Sequence, residues 1–247
     1  MIDFHAHLLP GLDDGAADME ITRQLLNTYN RGDIIAATPH FYPAEETIEN
    51  FLKRREKALF EIQPELNGKE LLAGAEVHLS PEITAMDGIE RLAIGNTGCI
   101  LLELPYEPVP SWIEAFLFSL IAKKKLIPVL AHAERYFPAY NNIKELEKLL
   151  KMDVYVQVNA GSVLSDKRKK AVRLLQERGM IHVLGSDCHN MNSRPNRMAQ
   201  AHTEIRKSWE TACLRQLEDN AAQLINGKKP EKHILPPKKN LFSFWKK

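Results

Sequence analysis

Cysteine is scarce in this 247-residue chain: Cys99, Cys188 and Cys213 are the only three, an odd and widely scattered set with no Cys-x-x-Cys. That excludes a disulfide framework and favours a reducing compartment. Long apolar runs are also missing. The longest, Trp112 to Ala122, is interrupted by Glu114 and Ser119 and is too short to span a bilayer, so no stable membrane insertion is expected. No basic region followed by an apolar stretch opens the sequence, which leaves no visible secretory signal and makes a cytoplasmic protein the expectation. Charge of either sign is not in excess. Thirty-three Lys and Arg stand against 32 Asp and Glu, for a formal charge of +1. Nothing in that balance suggests a polyanion-binding surface, and no nucleic-acid partner is expected; phosphate recognition should be local. Internal repeats and low-complexity domains are absent too, and nothing in the sequence fixes an oligomeric state.

What is present is enough hydrophobic residues, 44% of the chain, to bury one large core. Seven strand-length apolar runs alternate with helical patterns: Ile2–Phe4, Ile34–Thr38, Leu71–Val77, Cys99–Leu104, Ile127–Ala131, Val154–Val158 and His182–Gly185. Between them, helical spacing predicts Met19–Asn30, Thr47–Ile62, Ser111–Lys124, Ile143–Lys151 and Asp166–Arg178, with two more helices over Met198–Ser208 and Glu210–Asn226. Ser111 and Asp166 stand where N-caps belong, and Gly32 and Gly179 where C-caps belong. The reading is an α/β fold, a closed or nearly closed (β/α)7 TIM-like barrel over residues 1–227. Residues 228–247 form a Lys/Pro-rich tail ending in aromatics, either a solvated end or a segment that touches a partner or an anionic surface.

Barrel enzymes place their chemistry at the C-terminal ends of the strands. Here those positions are rich in ligands. The first strand carries His5 and His7, which at i and i+2 project to one side. The next ends carry His40 in Thr-Pro-His, Glu76 in Gly-Ala-Glu, Glu103 in Leu-Leu-Glu-Leu-Pro and His132 in Ala-His-Ala-Glu-Arg. The last carries Asp187 and His189 in Gly-Ser-Asp-Cys-His, and the loop after His7 adds Asp13 and Asp14. Any one of these has a bland explanation as a cap or an ion pair. Six strand ends converging on imidazoles and carboxylates point instead to a metal centre, with more ligands than one ion needs. Two or three divalent ions bridged by a carboxylate fit the count.

These motifs together, Met-Ile-Asp-x-His-x-His, Asp-Asp-Gly, His-Ala-Glu-Arg and Ser-Asp-x-His-Asn followed by Arg-Pro, resemble the polymerase and histidinol phosphatase (PHP) superfamily of trinuclear metal hydrolases. Within it the chain looks like the bacterial tyrosine-protein phosphatases encoded alongside capsule and exopolysaccharide genes. The likeness spans roughly residues 1 to 225 and implies a distorted barrel of the PHP type. It implies that His5, His7, Glu76 and Asp187 hold one metal, and that Glu76 bridges to a second on Glu103 and His132. A third would sit on Asp14, His40 and His189. Asp14 is preferred to Asp13 on the resemblance alone, since the residues themselves do not separate the two neighbours.

Clustered divalent ions activate water and clamp phosphoryl oxygens, so phosphate-ester hydrolysis by a metal-bridging hydroxide is the favoured chemistry. Arg135 and Arg194 offer guanidinium forks for a phosphate, a role the resemblance also gives them; the competing reading of Arg135 is an ion pair with Glu134. Arg197 reads as helix surface. A phenolate leaving group, with a pKa of about 10, needs little protonation. The general acid stays open between Asp14 and a metal-bound water. The resemblance implies Mn2+, with Fe and Zn compatible with the same donors, and a phosphotyrosine protein as substrate, a bacterial tyrosine autokinase of polysaccharide export. Phe41, Tyr42, Tyr106, Tyr136 and Phe137 are candidate rim aromatics for an open, shallow site. Alternatives are a small-molecule phosphatase for histidinol phosphate or a nucleotide, and a non-catalytic metal-binding regulatory domain. A rival mechanism is raised by Cys188-x5-Arg194, the spacing of cysteine-dependent phosphatases, though the intervening residues contain no glycine and Pro195 follows the arginine.

Overall fold

The computed structural model describes residues 1–105, 109–136, 143–209 and 211–232. Nine short strands occur among them: β1 (Ile2–Ala6), β2 (Ile34–Ala37), β3 (His40–Phe41), β4 (Glu70–Ala73), β5 (Glu76–His78), β6 (Cys99–Glu103), β7 (Ile127–Leu130), β8 (Tyr155–Asn159) and β9 (Val183–Gly185). Every pairing is parallel, in two sheets of order β1-β2-β4 and β3-β5-β6-β7-β8-β9. Parallel strands need covering on both faces, and the helices supply it. The result is the curled, distorted TIM-like barrel that the alternating pattern predicts.

The seven expected strands become nine because Leu71–Val77 breaks in two and a short strand that was not expected, His40–Phe41, follows Ile34–Thr38. Ile34–Thr38 gives way at Pro39, which has no N–H to donate, and Leu71–Val77 gives way at Gly74. A β-carbon on Gly74 would stand 2.9 Å from Ile94 Cγ1, so the chain turns where only glycine fits. Before the break each segment pairs with β1's sheet; after it, with β6's. Arg55, buried on α2 (Ile48–Ile62), donates from Nη1 to Gly74 O at 2.8 Å and from Nη2 to Arg91 O at 3.3 Å. That satisfies the carbonyl at the break, which would otherwise be buried without a partner, and ties it to Arg91.

The ring closes where β1 meets the segment after β9. Asp187 N donates to His5 O at 2.7 Å and His7 N to Cys188 O at 2.9 Å. Gly185 permits this approach, since a β-carbon there would lie 2.5 Å from His5 Cβ. Asp3 locks the seam. Its Oδ1 accepts from Ser186 N at 2.8 Å and His5 N at 3.1 Å, and its Oδ2 accepts from the Tyr29 hydroxyl at 2.6 Å. Burial raises the Asp3 pKa, partly offset by these donors.

The outer helices bury apolar stripes. α1 (Met19–Leu26) buries Leu25 and Leu26, α4 (Ile143–Leu150) buries Leu146, Leu149 and Leu150, and α6 (Lys169–Glu177) buries Val172 and Leu175. Each such side chain stabilises the fold by about 1.5–3 kcal/mol before entropy is counted. Asp18 caps α1 by accepting from Ile21 N at 2.9 Å, and Thr47 caps α2 by accepting from Asn50 N at 3.3 Å. Two expected N-caps do not cap. Ser111 precedes α3 (Trp112–Ala122) without a side-chain bond, and Asp166 lies before Arg168, which holds the N-cap position of α6, and pairs with Lys169 instead. Gly179, at φ +66°, does end α6, with Met180 N donating to Leu175 O at 2.9 Å. Gly32 lies beyond the end of α1, in the turn into β2, because the helix stops at Leu26 rather than Asn30. The tail's first residues pack down: Pro230 O accepts from the Tyr155 hydroxyl at 3.0 Å. Residues 233–247 lie outside the described residues.

Candidate metal centre

β1 ends with His5 and His7 on one side, as period-2 geometry dictates. His5 Nδ1 donates to Gln157 Oε1 at 3.2 Å and His7 Nδ1 donates to Asp13 Oδ2 at 2.6 Å. Both Nε2 atoms therefore carry lone pairs, and they face one another at 2.8 Å. Glu76 Oε2 stands 3.0 and 3.1 Å from the same two nitrogens. Acceptors so placed are held together only by a shared proton or a cation.

Glu76, at the start of β5 and fully buried, is the hub. Besides His5 and His7, its Oε2 lies 3.2 Å from His40 Nδ1, and its Oε1 lies 2.8 Å from His132 Nε2. Four imidazoles surround it. Burial opposes its charge, but the histidines hold its pKa well below the usual carboxylate range. His132 Nε2 is also 3.6 Å from Glu103 Oε1 at the end of β6. Asp187 Oδ1 is 3.6 Å from both His5 and His7 Nε2. Asp14 Oδ1 is 3.2 Å from His189 Nε2 and 3.6 Å from His40 Nε2. The structure thus brings all nine sequence-selected residues, His5, His7, Asp14, His40, Glu76, Glu103, His132, Asp187 and His189, into one connected constellation.

The donor set fits divalent cations. With metal–ligand bonds near 2.1 Å, neighbouring ligand atoms sit roughly 3 Å apart, which is the spacing found here. Three groups of ligand atoms lie within 4.8 Å of one another: His7, Asp14, His40 and His189; His5, His7 and Asp187; His40, Glu76 and Glu103. They overlap, with His7 and His40 each in two groups, so the division into three separate ligand sets is less sharp in the geometry than the resemblance implies. Buried His40 Nδ1, His132 Nδ1 and His189 Nε2 have no hydrogen-bond partner. Three buried carboxylates, Glu76, Glu103 and Asp187, sit among these imidazoles, a donor set that suits cations.

The acidic neighbours have different jobs. Asp13, almost buried, accepts from His7 Nδ1, from His40 N at 2.8 Å and from Gly15 N at 2.9 Å. Burial disfavours its charge, but His7 and the two amides pull its pKa far below the usual carboxylate range. Asp14 points outward, its side chain 65% exposed beside His189 and Arg194. Sequence alone leaves the pair unresolved; the fold separates them.

Supporting residues that the sequence reading passed over come mostly from β8, which among the seven expected strands was the one that supplied no candidate. Gln157 accepts from His132 N at 2.8 Å as well as from His5, and donates to Asn159 Oδ1 at 2.8 Å. Asn159 donates to Asp187 Oδ2 at 2.6 Å. Their signal was two polar residues at i and i+2 in an otherwise apolar strand. His78, at the end of β5, lies 3.0 Å from Glu103 Oε2. His132 and Asp187 have φ of +34° and +52°, a left-handed strain of about 1–3 kcal/mol each, at the two strand ends that carry them.

Arg135 and Arg194 both reach Asp187, Arg135 through Nη2 to Oδ2 and Arg194 through Nη2 to Oδ1 at 2.6 Å; Arg194 Nη1 is also 3.5 Å from Asp14. Glu134, the partner of Arg135 in the competing reading, is buried and accepts from Ser162 Oγ at 2.7 Å. The two guanidiniums wall a cleft of about 690 Å³, with Asp187 at its base. Arg197, read as helix surface, lines the same cleft. Cys188 does not. It is buried against Tyr29, its Sγ 3.6 Å from the hydroxyl, and burial pushes its pKa up to about 12. A thiol so placed is no nucleophile, and the Cys-x5-Arg spacing is accidental. Of the candidate rim aromatics, Tyr42 stacks on His40 at 5.2 Å. Phe41 is in the core against Phe51, and Tyr136 is buried with its hydroxyl 3.5 Å from Glu103, so neither forms a rim. Tyr106 and Phe137 lie outside the described residues.

Comparison with known proteins places this constellation among relatives. A family model described as capsular polysaccharide synthesis, CpsB/CapC, matches residues 1–226. The tyrosine-protein phosphatase CpsB of Streptococcus pneumoniae is 32% identical over 245 residues, covering 91% of this chain and 98% of that protein. The tyrosine-protein phosphatase YwqE of Bacillus subtilis is 30% identical over 239 residues, covering 91% of each. A solved structure from the work on YwqE of Bacillus subtilis and CpsB of Streptococcus pneumoniae, described as unique metal-dependent tyrosine phosphatases, superposes with a TM-score of 0.83. It is 26% identical and covers 97% of this chain and 100% of its own.

Proposed function

From the premise that the chain belongs to the CpsB/CapC capsular polysaccharide synthesis family, we propose that it is a metal-dependent tyrosine-protein phosphatase whose His, Asp and Glu constellation holds two or three divalent ions. The observation that carries this reading is Glu76, a fully buried carboxylate ringed by four imidazoles. His5, His7, Asp14, His40, Glu76, Glu103, His132, Asp187 and His189 are the ligands. Imidazole and carboxylate donors without thiolate suit Mn2+, with Fe and Zn as competitors that affinity alone does not exclude. When bound, such ions supply an activated water and a Lewis acid for the phosphoryl group.

The chain's own residues do the rest. Arg135 and Arg194, at the wall of the cleft, donate to phosphoryl oxygens and fix the ester in line with the centre. Asp187 holds both guanidiniums in place from the other side, so the forks are oriented before substrate arrives. Asp14, exposed and next to Arg194, would hold an ion at the edge of the cleft; a phenolate leaving oxygen, with a pKa of about 10, needs little protonation. The substrate is a phosphotyrosine protein, in this reading a tyrosine autokinase of polysaccharide export, met in the cytoplasm. Among the described residues no helix is long and apolar enough to cross a membrane.

The test is hydrolysis of a phosphotyrosine peptide by purified protein with chelator and after Mn2+ is restored, beside phosphoserine and histidinol phosphate. Turnover that needs metal and prefers phosphotyrosine is the expected result. Preference for histidinol phosphate would move the reading to a small-molecule phosphatase, and metal-loaded protein that binds the phosphopeptide without turnover would move it to a regulatory domain.

A further inference from the structure

The cleft beside the metal centre holds more positive charge than one phosphoryl group needs. Arg135 and Arg194 stand at its inner end, against Asp187; Arg168 and Arg197 line it as well. Arg168 immediately precedes α6, and Arg197 immediately precedes α7 (Met198–Ser208), so each is carried on a fixed helix start rather than on a long loop. Neither side chain has a hydrogen-bond or ion-pair partner among the described residues. Exposed arginines elsewhere commonly do: Arg23 pairs with Glu65, Arg54 with Glu46, Arg91 with Glu49 and Arg173 with Glu177. Two unpaired guanidiniums that line one cleft favour an anion within it.

Resting on the phosphatase reading, we propose that Arg168 and Arg197 form a second anion-binding position, which takes a negatively charged group of the substrate protein next to the phosphotyrosine. The remaining lining supports a peptide. Ser165, Asn192 and Ser193 offer hydrogen bonds, while Leu164, 38% exposed, and Pro195 offer apolar contact. At about 690 Å³ the cleft is larger than a single phosphotyrosine side chain fills. The shared chemistry of the second group is an anion, either a carboxylate or another phosphoryl. The inner arginines, tied to Asp187, orient the scissile ester; the outer pair reads what flanks it.

The experiment measures binding of three fluorescent peptides to the full chain in Mn2+ buffer. Each carries a non-hydrolysable difluoromethylene phosphonate in place of phosphotyrosine, with neutral flanks, with flanking glutamates, or with a second phosphonate. The wild-type protein should bind the anionic peptides about five- to tenfold tighter than the neutral one, the gain expected of two partly exposed charge pairs. R168A/R197A should lose that gain while keeping its affinity for the neutral peptide and its turnover of free phosphotyrosine. A gain for both anionic peptides assigns the position to any anion, and a gain for the doubly phosphonated one alone assigns it to a phosphoryl group. The proposal is overturned if the wild-type protein shows no gain, if the gain survives in the double variant, or if the variant weakens all three peptides equally. Failure of the phosphatase reading looks different: no phosphotyrosine ester is turned over, whatever the peptides do.

Discussion

Asp13 Oδ2 and His7 Nδ1 meet at 2.6 Å, and that contact settles which nitrogen of His7 faces the constellation. A carboxylate behind a ligating imidazole fixes its tautomer and raises its basicity. Asp13→Asn should therefore weaken metal affinity by about 10–100-fold and recover turnover when metal is raised. Asp14→Asn, altered at the exposed edge beside Arg194, should stay impaired at saturating metal. Metal titration followed by steady-state kinetics checks both, and equal rescue of the two would contradict the separate roles drawn here.

Asp187 and Arg194 are joined at 2.6 Å but should fail differently. Asp187→Asn removes a ligand and should lose metal and activity together. Arg194→Ala should keep its metal, measured by elemental analysis after gel filtration, and lose about 10–100-fold in kcat/KM through a missing charged hydrogen bond. Full activity in both variants would sink the site assignment.

Cys188 is packed, not reactive. Cys188→Ala should leave turnover within about twofold while lowering stability by about 1–2 kcal/mol through the small void beside Tyr29. Loss of all turnover with the fold and metal intact would restore the thiol mechanism.

His182 gives the fold a titration of its own, away from the constellation. It is buried, Val156 N donates to its Nδ1 at 3.1 Å, and burial with help from Lys232 lowers its pKa to about 3. The unfolded chain, with His near 6.5, takes up the proton first as pH falls. Stability from this group is thus complete above about pH 6.5 and is lost toward pH 3, at up to about 1.4 kcal/mol per pH unit. His182→Gln, which can still accept from Val156, should flatten that slope in urea titrations between pH 7 and 5. A stability difference between wild type and variant that does not change with pH would refute the assignment.

Much of this was legible in the chain itself. Strand and helix periods give seven βα units, and ligand-bearing residues just past strand ends give the constellation, because a parallel barrel sends all its strand C-termini to one face. Local chemistry also gave the arginines, which follow His132 and His189 closely in sequence. Tertiary structure alone decided the rest. The breaks at Pro39 and Gly74 depend on which sheet each half joins, and Gly74 turns on its contact with Ile94, far along the chain. Asp13 and Asp14 are identical to any local rule and differ only in what the folded loop turns them toward. Gln157 and Asn159 act through His5, His132 and Asp187, partners from other strands. Cys188 has the spacing of a nucleophile and the burial of a core residue, and burial, a property of the whole fold, overrides spacing because desolvation keeps the thiol protonated.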